Sequence, residues 1–254
     1  MIKKSYAKVN IFLKIVGLRD NYHELASRFV RVKSLYDIVE FQQYNSDRFI
    51  IDGNFGCNLE QNTIYKAYVQ LSKISSKVQE YFDNHKVIVT KNIPEFAGLG
   101  GGSSNCATFI LMVNKVCNLC MTKDQMAKLG STIGADVPFF IYEYDSANVS
   151  GIGEIVEPFD ETVPNIEVFT PNIKCNTGDI FKSFRNKFFH LTPDDEAKIL
   201  FNLSSKEILE RYSKEYLNDL YLPALDSNIK LKNLNLTQNY FFSGSGSSFF
   251  KISE

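Results

Sequence analysis

The segment Pro94–Ala107, PEFAGLGGGSSNCA, places four glycines and two serines within seven residues. It follows an alternating apolar run, HKVIVTK, and precedes a long apolar stretch that is typical of a buried helix. Glycine allows positive φ angles and close approach of the backbone, at an entropic cost. Since one glycine is enough for a strand-to-helix turn, the segment predicts a helix N-terminus whose backbone N–H groups bind an anion such as phosphate.

Two familiar phosphate-binding motifs are absent from this segment. No lysine follows any of the glycines, which excludes a Walker A loop, and Ser103 occupies the third glycine position of the dinucleotide fingerprint. Ser103 and Ser104 can cap the helix, and their hydroxyls could also contact phosphate oxygens or a metal bound to them. Phosphoryl chemistry at this loop would therefore need cations from elsewhere in the chain.

The order of predicted elements favours an α+β or α/β fold. Strand patterns occur around Val9 and in HKVIVTK, and helices are predicted after Asn62 and after the Thr122-x-x-Gln125 capping box, the latter helix ending at Gly134. From about residue 150 the pattern changes to short strands, further helices and a final strand–glycine turn–strand, and the Ser204-x-x-Glu207 capping box predicts the start of one of these helices. We therefore predict two domains, 1–150 and 151–254.

Composition and cysteine usage argue against several classes of protein. Lys and Arg number 28 and Asp and Glu 29, so no net field favours nucleic acid or an anionic membrane. The five cysteines are thinly spread and predict reduced thiols in a cytoplasmic protein rather than a disulfide framework. No apolar run approaches the length of a transmembrane helix. Cys117-x-x-Cys120 has no second ligand pair at useful spacing, which favours buried structural thiols over a zinc site.

Candidate catalytic residues lie on both sides of the glycine segment. Lys8 and Asn10 are two residues apart and share one strand face, which is either a functional pair or a solvated face. Asp136 precedes the apolar run Val137–Phe140, which is predicted to be a strand. A carboxylate that enters such a strand is either paired and functional or simply begins a turn before Pro138. Tyr22 and His23 form an aromatic pair that could hold a flat ligand or serve no site. His85 and His190 are expected at the surface.

The glycine segment resembles the second motif of the superfamily of galactokinase, homoserine kinase, mevalonate kinase and phosphomevalonate kinase, and FFSGSGSSFF resembles its third motif. The segments AKVNIFLKIVGLRDNYHEL, GLGGGSSN and IGADVPFF are similar to one branch of this superfamily. That branch uses ATP to phosphorylate a cytidine diphosphate derivative of methylerythritol in the non-mevalonate route to isoprenoids. The resemblance extends from about residue 5 to about residue 250.

The resemblance implies a two-lobed fold, with an N-terminal lobe of the ribosomal-protein-S5 type, a C-terminal α/β sandwich and the active site in the cleft between them. It also implies Mg²⁺ carried with ATP, no dedicated metal site in the protein, and a monomer or weak homodimer. Asp136 resembles the catalytic base and Lys8 the group that polarises the accepting hydroxyl. The residues that resemble ATP contacts are Pro94, Glu95, Phe96, Ala97, Gly98, Leu99, Gly100, Gly101, Gly102, Ser103, Ser104, Asn62 and Lys91. Those that resemble substrate contacts are Asn10, Tyr22, His23, Thr177, Phe181, Gly244 and Ser245, with Tyr22, His23 and Phe181 on the cytosine.

Two positions depart from the family pattern. Asn21 replaces the glycine before the Tyr-His pair, although asparagine also tolerates positive φ. The segment CNTGDIF lacks the proline and serine that relatives often have, which loosens the alignment at Thr177 and Phe181. The alternatives are a sister kinase for homoserine or mevalonate, a nucleotide-binding relative without turnover, and an RNA-binding protein of the S5-like fold, which the balanced charge disfavours.

Overall fold

A computed structural model of the chain describes residues 1–253. The strands are β1 (Ile2–Arg19), β2 (Tyr22–Gln43), β3 (Ile51–Gly53), β4 (His85–Thr90), β5 (Ser146–Gly151), β6 (Ile155–Pro158), β7 (Ile166–Phe169), β8 (Phe241–Phe242) and β9 (Phe249–Ile252).

The α-helices are α1 (Thr63–Ile74), α2 (Ser76–Phe82), α3 (Gly101–Val116), α4 (Lys123–Ser131), α5 (Val137–Tyr142), α6 (Thr177–Ser183), α7 (Asp194–Asn202), α8 (Ser205–Arg211), α9 (Lys214–Leu217), α10 (Tyr221–Ser227) and α11 (Ile229–Lys232). A 3₁₀ turn precedes α1 and a π turn follows α6. The predicted α+β class is confirmed.

The chain forms two compact units. The first unit comprises Met1–Ala7, Leu35–Ile93 and Gly101–Glu143. The second unit comprises Lys8–Ser34, Pro94–Gly100 and the described chain from Tyr144 onward. The long strands β1 and β2 contribute residues to both units, as does the glycine segment. The domain boundary that we place near residue 150 stays a prediction.

The first unit contains a small sheet and the helices α1–α5. The end of β2 pairs antiparallel with β4, with Ile38 opposite Thr90, and β3 pairs in parallel with β4. The helix α3 contacts α1, α4 and α5. Four buried phenylalanines form the core, with ring centroids 5.1–6.0 Å apart: Phe41, Phe49, Phe82 and Phe109. The residues of α3 are buried on most sides, as its apolar sequence predicts.

The second unit contains strand pairs that belong to two different sheets, together with the helices α6–α11. The beginning of β2 pairs antiparallel with β5, which pairs antiparallel with β6. A separate three-stranded sheet has the order β7–β9–β8. An apolar cluster joins β1, the α6 region and the last two strands through Leu13, Ile15, Phe184, Phe242 and Phe249.

Local capping signals in the sequence are confirmed. The Asn62 side chain accepts a hydrogen bond from the N–H of Ile64 at the start of α1. The capping boxes at Thr122 and Ser204 are both formed, with Gln125 and Glu207 as the reciprocal partners. These local interactions satisfy N–H groups that a helix start leaves without an intrahelical partner.

Three local predictions are wrong. The apolar run after Asp136 forms the helix α5 rather than a strand, with Asp136 at the N-cap position and Pro138 in the first turn, where proline is tolerated. The helix α4 ends at Ser131 rather than Gly134. Cys117 is buried but Cys120 is exposed. Burial raises the pKa of the Cys117 thiol to about 11, which keeps it protonated and unreactive at neutral pH.

Candidate functional site

The helix α3 begins at Gly101, directly within the glycine segment. Ser103 and Ser104 therefore lie inside its first turn and do not occupy the N-cap position that the sequence allowed for them. Ser104 is buried and its hydroxyl accepts a hydrogen bond from the hydroxyl of Ser5 at 2.8 Å, whereas Ser103 is half-buried. The first turn of a helix presents N–H groups and the positive end of the helix dipole. This turn can therefore hold an anion, with Ser103 as the more accessible hydroxyl.

The glycines of the segment serve two different needs. Gly98 has φ +73°, and a Cβ added there would lie 2.1 Å from the carbonyl oxygen of Ser243. A side chain is impossible at that position because the backbone after β8 passes against it. At Gly102, by contrast, the nearest atom to an added Cβ is Thr63 Oγ1 at 3.9 Å. Packing does not require glycine there, and the space beside its Cα is open enough for a ligand to approach the backbone.

The loop that enters α3 is held by interactions within the second unit. The N–H of Lys8 donates to the carbonyl of Leu99 at 3.0 Å, and the hydroxyl of Ser243 donates to the carbonyl of Gly98 at 3.0 Å. The N–H of Ser248 donates to the carbonyl of Ala97 at 3.1 Å, and that of Cys175 to the carbonyl of Phe96 at 3.1 Å. The segment Pro94–Gly100 is thus a fixed loop, because its carbonyl groups accept hydrogen bonds from other segments of the same unit.

Lys91 supplies a cation beside the first turn of α3. Its Nζ lies 3.5 Å from the position that a Cβ on Gly101 would occupy. The ammonium donates to Asp37 Oδ2 and, at 3.1 Å, to Asn105 Oδ1. Phosphoryl chemistry at the glycine segment needs a cation from elsewhere in the chain, and the first unit places Lys91 beside it.

Asp37 is a residue that the sequence argument missed. Its carboxylate is fully buried and also accepts hydrogen bonds from the N–H groups of Asn92 and Ile93 at 2.7 and 2.8 Å, and from the amide of Asn105 at 2.9 Å. It therefore holds the chain that leads into the glycine segment and orients Lys91. The available signal was an acidic residue inside the apolar strand pattern of β2, where a carboxylate needs partners.

Asp136 begins α5 within the first unit and is half-buried. The turn that carries it approaches α3, because the Ser103 hydroxyl lies 3.5 Å from the position of a Cβ on Gly134. The first unit thus places the Asp136 turn beside the first turn of α3. Asn62 precedes Thr63, whose hydroxyl donates to the carbonyl of Gly102 at 2.8 Å, so the start of α1 also lies beside the first turn of α3. The side-chain oxygen of Asn62 is engaged in capping α1.

Lys8 and Asn10 are buried, at 4% and 2% exposure, which answers the question left open by the alternation of the strand. Lys8 Nζ donates to Asn10 Oδ1 at 2.6 Å and lies 4.5 Å from the centroid of the Phe29 ring. The amide of Asn10 donates to the hydroxyl of Ser27 at 3.0 Å. A buried ammonium costs free energy unless it is paired, so this face of β1 is not a solvated surface.

The aromatic residues expected around a base lie in the second unit. The rings of His23 and Phe181 are stacked, with centroids 4.9 Å apart and planes inclined by 24°, while Tyr22 is 62% exposed. Within residues 1–253, His23 Nε2 is buried and has no hydrogen-bond partner. Burial, and to a lesser extent the charge of Arg185, lowers the pKa of His23. A neutral imidazole with an unsatisfied nitrogen is suited to hydrogen-bond a polar ligand edge.

The C-terminal glycine turn lies between β8 and β9. The hydroxyls of Thr177 and Ser245 are hydrogen-bonded at 2.8 Å, which brings these two predicted residues together. A Cβ on Gly244 would lie 3.3 Å from Asn10 Oδ1 and 3.2 Å from the carbonyl oxygen of Gly98. The second unit therefore gathers Asn10, the loop before α3 and this turn at one place.

None of the helices of the described chain is long and apolar enough to cross a membrane. Between residues 1 and 253, no group of three or more histidine, cysteine, aspartate and glutamate side chains could hold a metal ion.

Known proteins resemble this chain at three levels. Residues 62–144 match the model of the GHMP kinases N terminal domain. The chain is 49% identical to the 4-diphosphocytidyl-2-C-methyl-D-erythritol kinase of Sulfurimonas denitrificans, over 99% of this chain and 96% of the relative. It is 46% identical to the enzyme of that name from Sulfurovum sp., over 98% of each chain. A crystal structure of 4-(cytidine 5'-diphospho)-2C-methyl-D-erythritol kinase superposes with a TM-score of 0.77 at 28% identity, over 100% of this chain and 90% of the other.

Proposed function

Since the chain belongs to the family of 4-diphosphocytidyl-2-C-methyl-D-erythritol kinases, we propose that it transfers the γ-phosphoryl group of ATP to the 2-hydroxyl of 4-diphosphocytidyl-2-C-methyl-D-erythritol. This reaction makes a precursor of isoprenoids by the non-mevalonate route. The observation that carries the proposal is 49% identity along almost the whole of both chains to a kinase named for that substrate. The motifs of the sequence agree with it.

The phosphate groups of ATP bind at the first turn of α3. Its N–H groups and dipole attract the anion, and the absence of a side chain at Gly102 leaves room for close approach. Lys91, oriented by Asp37, adds positive charge beside the turn. Pro94–Gly100 keep this backbone in a fixed shape, and we retain Asn62 as a contact on the adenine side. Positioning and electrostatics of this kind are the main sources of catalysis in phosphoryl transfer.

Mg²⁺ carried with ATP would screen the phosphate charge. Magnesium typically keeps several waters and takes one or two protein oxygens together with the phosphates, so a cage of several carboxylates is not required. The half-buried hydroxyl of Ser103, in the turn where we place the phosphates, is an oxygen that fits this arrangement.

Asp136 accepts the proton of the 2-hydroxyl in this proposal. A tertiary alcohol is a poor nucleophile until a base takes its proton. Lys8 stabilises the negative charge that develops on the oxygen, and Asn10 holds both the ammonium and the substrate. The burial of Lys8 strengthens its electrostatic effect, because interactions between charges are less screened away from water.

Cytosine is recognised by Tyr22, His23 and Phe181. The partnerless Nε2 of His23 supports a hydrogen bond to the base, and the exposed ring of Tyr22 can cover one face. Phe181 is stacked on His23 and supplies a second aromatic surface. Thr177, Gly244 and Ser245 contact the remainder of the substrate. We place the enzyme in the cytoplasm, as a monomer or weak homodimer that does not bind nucleic acid.

The proposal is tested by ADP release in a coupled assay with Mg-ATP. We expect turnover with the cytidylated erythritol and at least a hundredfold lower kcat/KM with mevalonate or homoserine. Equal turnover of mevalonate without use of the cytidylated compound would instead identify a sister kinase. Binding of ATP without product from any acceptor would identify a nucleotide-binding relative.

A further inference from the structure

The turn between β8 and β9 approaches the substrate residues of the second unit closely. Gly244 has φ +57°, and the space beside its Cα is bounded by Asn10 Oδ1 and the carbonyl of Gly98. A small displacement of this turn would therefore change the distances between three groups that the proposed function assigns to substrate and ATP. The position of this turn must therefore be fixed by contacts with other parts of the second unit.

Asn218 makes the side-chain contacts to this turn. Its Nδ2 donates to the carbonyl of Phe242 at 3.0 Å and to the carbonyl of Gly244 at 2.9 Å, one on each side of Ser243. Its Oδ1 accepts from the N–H of Leu220 at 2.9 Å. The residue is 3% exposed. Both amide hydrogens and the amide oxygen therefore form hydrogen bonds within the protein rather than with water.

Asn218 is itself anchored to the strand that carries Lys8 and Asn10. The N–H of Asp219 donates to the carbonyl of Leu13 at 3.0 Å, and its carboxylate accepts from the N–H of Ile15 at 2.7 Å. The same carboxylate pairs with Lys14 Nζ at 2.6 Å, with both side chains nearly fully buried. The Asn218–Asp219 dipeptide thus joins β1 on one side to the glycine turn on the other.

We propose that Asn218 is a positioning residue for the kinase reaction, which sets the Gly244–Ser245 turn against Asn10 and so determines how well the phosphate acceptor is bound and oriented. The proposal rests on the proposed function of this site. Asn218 does not touch the reacting atoms. Its amide is required because two N–H donors on one planar group must reach two carbonyls, which a carboxylate of the same shape cannot do.

The test compares Asn218→Asp with Asn228→Asp. The first substitution keeps the size and the oxygen that accepts from Leu220, and it turns two donors into an acceptor facing two carbonyls. Asn228 caps α11 through its Oδ1, a role that aspartate performs equally well. We expect Asn218→Asp to lower kcat/KM for the acceptor at least about tenfold, since small displacements of positioned groups have large effects on rate. KM for ATP should change less than threefold, and Asn228→Asp should change neither.

Amide hydrogen exchange separates positioning from general loss of structure. In Asn218→Asp we expect faster exchange at Gly244–Ser247, with unchanged exchange in the β2–β5 ladder. Unchanged exchange at the turn would overturn the proposal, as would faster exchange with normal acceptor kinetics. If Asn218→Asp fails to fold, Asn218→Ser is measured in the same two ways and judged by the same outcomes. Exchange is measured without substrate, so its result is independent of whether the acceptor has been correctly identified.

Discussion

The ammonium of Lys8 donates a hydrogen bond to the side-chain oxygen of Asn10 at 2.6 Å, and both side chains are almost completely buried on β1. The pair is thus held in place by contacts within the protein.

Replacing Asn10 with leucine removes this acceptor and should lower kcat about 10- to 100-fold, because the ammonium loses its fixed position. Steady-state kinetics with the cytidylated acceptor measure the change. Asn202→Leu, an exposed position in the same unit, is the control, and equal activity of the two variants would remove the pair from the mechanism.

Asp136→Asn should reduce turnover by about 10²- to 10⁴-fold, the usual contribution of a general base. The amide is nearly isosteric, so the start of α5 should persist and ATP should bind with a similar Kd. Rapid-quench measurement of phosphoryl transfer and calorimetric titration with ATP give the two quantities. Asp124→Asn, at an exposed position in the first turn of α4, should retain full activity. Near-normal transfer by Asp136→Asn would show that another group accepts the proton.

Two glycine substitutions distinguish packing from ligand approach. Gly98→Ala should destabilise the protein by well over about 1 kcal/mol, because the residue has positive φ and its methyl group would overlap the Ser243 carbonyl. Gly102→Ala should stabilise the protein by about 0.5–1 kcal/mol, since it replaces glycine by alanine within a helix and has space for the methyl group. The same substitution should raise KM for ATP at least fivefold.

Urea unfolding and ATP kinetics on both glycine variants provide the comparison. A Gly102→Ala variant that is more stable and binds ATP normally would exclude close approach of phosphate to this turn. Higher stability combined with weaker ATP binding is the outcome that the phosphate site predicts.

His23 should make the protein less stable in mild acid. Burial holds its folded-state pKa below the ordinary histidine value of 6.5, so the unfolded chain binds more protons in the interval between the two values. Stability should therefore decrease as the pH falls from 7 through 6.5 and towards the folded-state pKa. His23→Phe, which can keep the stacking with Phe181, should show a smaller decrease between pH 7.5 and 5.5 in urea unfolding. A ¹H–¹⁵N titration that places the His23 pKa at or above 6.5 would contradict this prediction.

Asp37→Asn should destabilise the protein by about 3 kcal/mol, because it breaks a buried pair with Lys91 and mismatches several backbone and amide donors. The matched control is Asp52→Asn in the same unit. Asp52 pairs with Lys86 at 2.8 Å but is half exposed, so its loss should cost less than about 1 kcal/mol. Equal unfolding free energies for the two variants would show that Asp37 does not hold the entrance to α3.

The sequence by itself determined the family, the α+β class and much of the local structure. Short-range signals such as the capping boxes at Thr122 and Ser204 were reliable, because each is satisfied within one helical turn. The glycine segment indicated an anion site for a similarly local reason. Hydrophobic periodicity and composition could not determine the secondary structure of VPFF. A short apolar run after Asp136 fits a strand as well as it fits the helix α5 that it forms.

Only the tertiary structure decided which polar residues are buried and with which partners. It showed that Lys8 and Asn10 are a buried pair, that Asp37 orients Lys91, and that Asn218 holds a turn more than twenty residues away. It also distinguished two glycines of the segment. Gly98 is required because the carbonyl of Ser243 leaves no space for a side chain, whereas a methyl group would fit at Gly102. These relationships depend on contacts between residues far apart in the chain, and a single sequence carries no record of such distances.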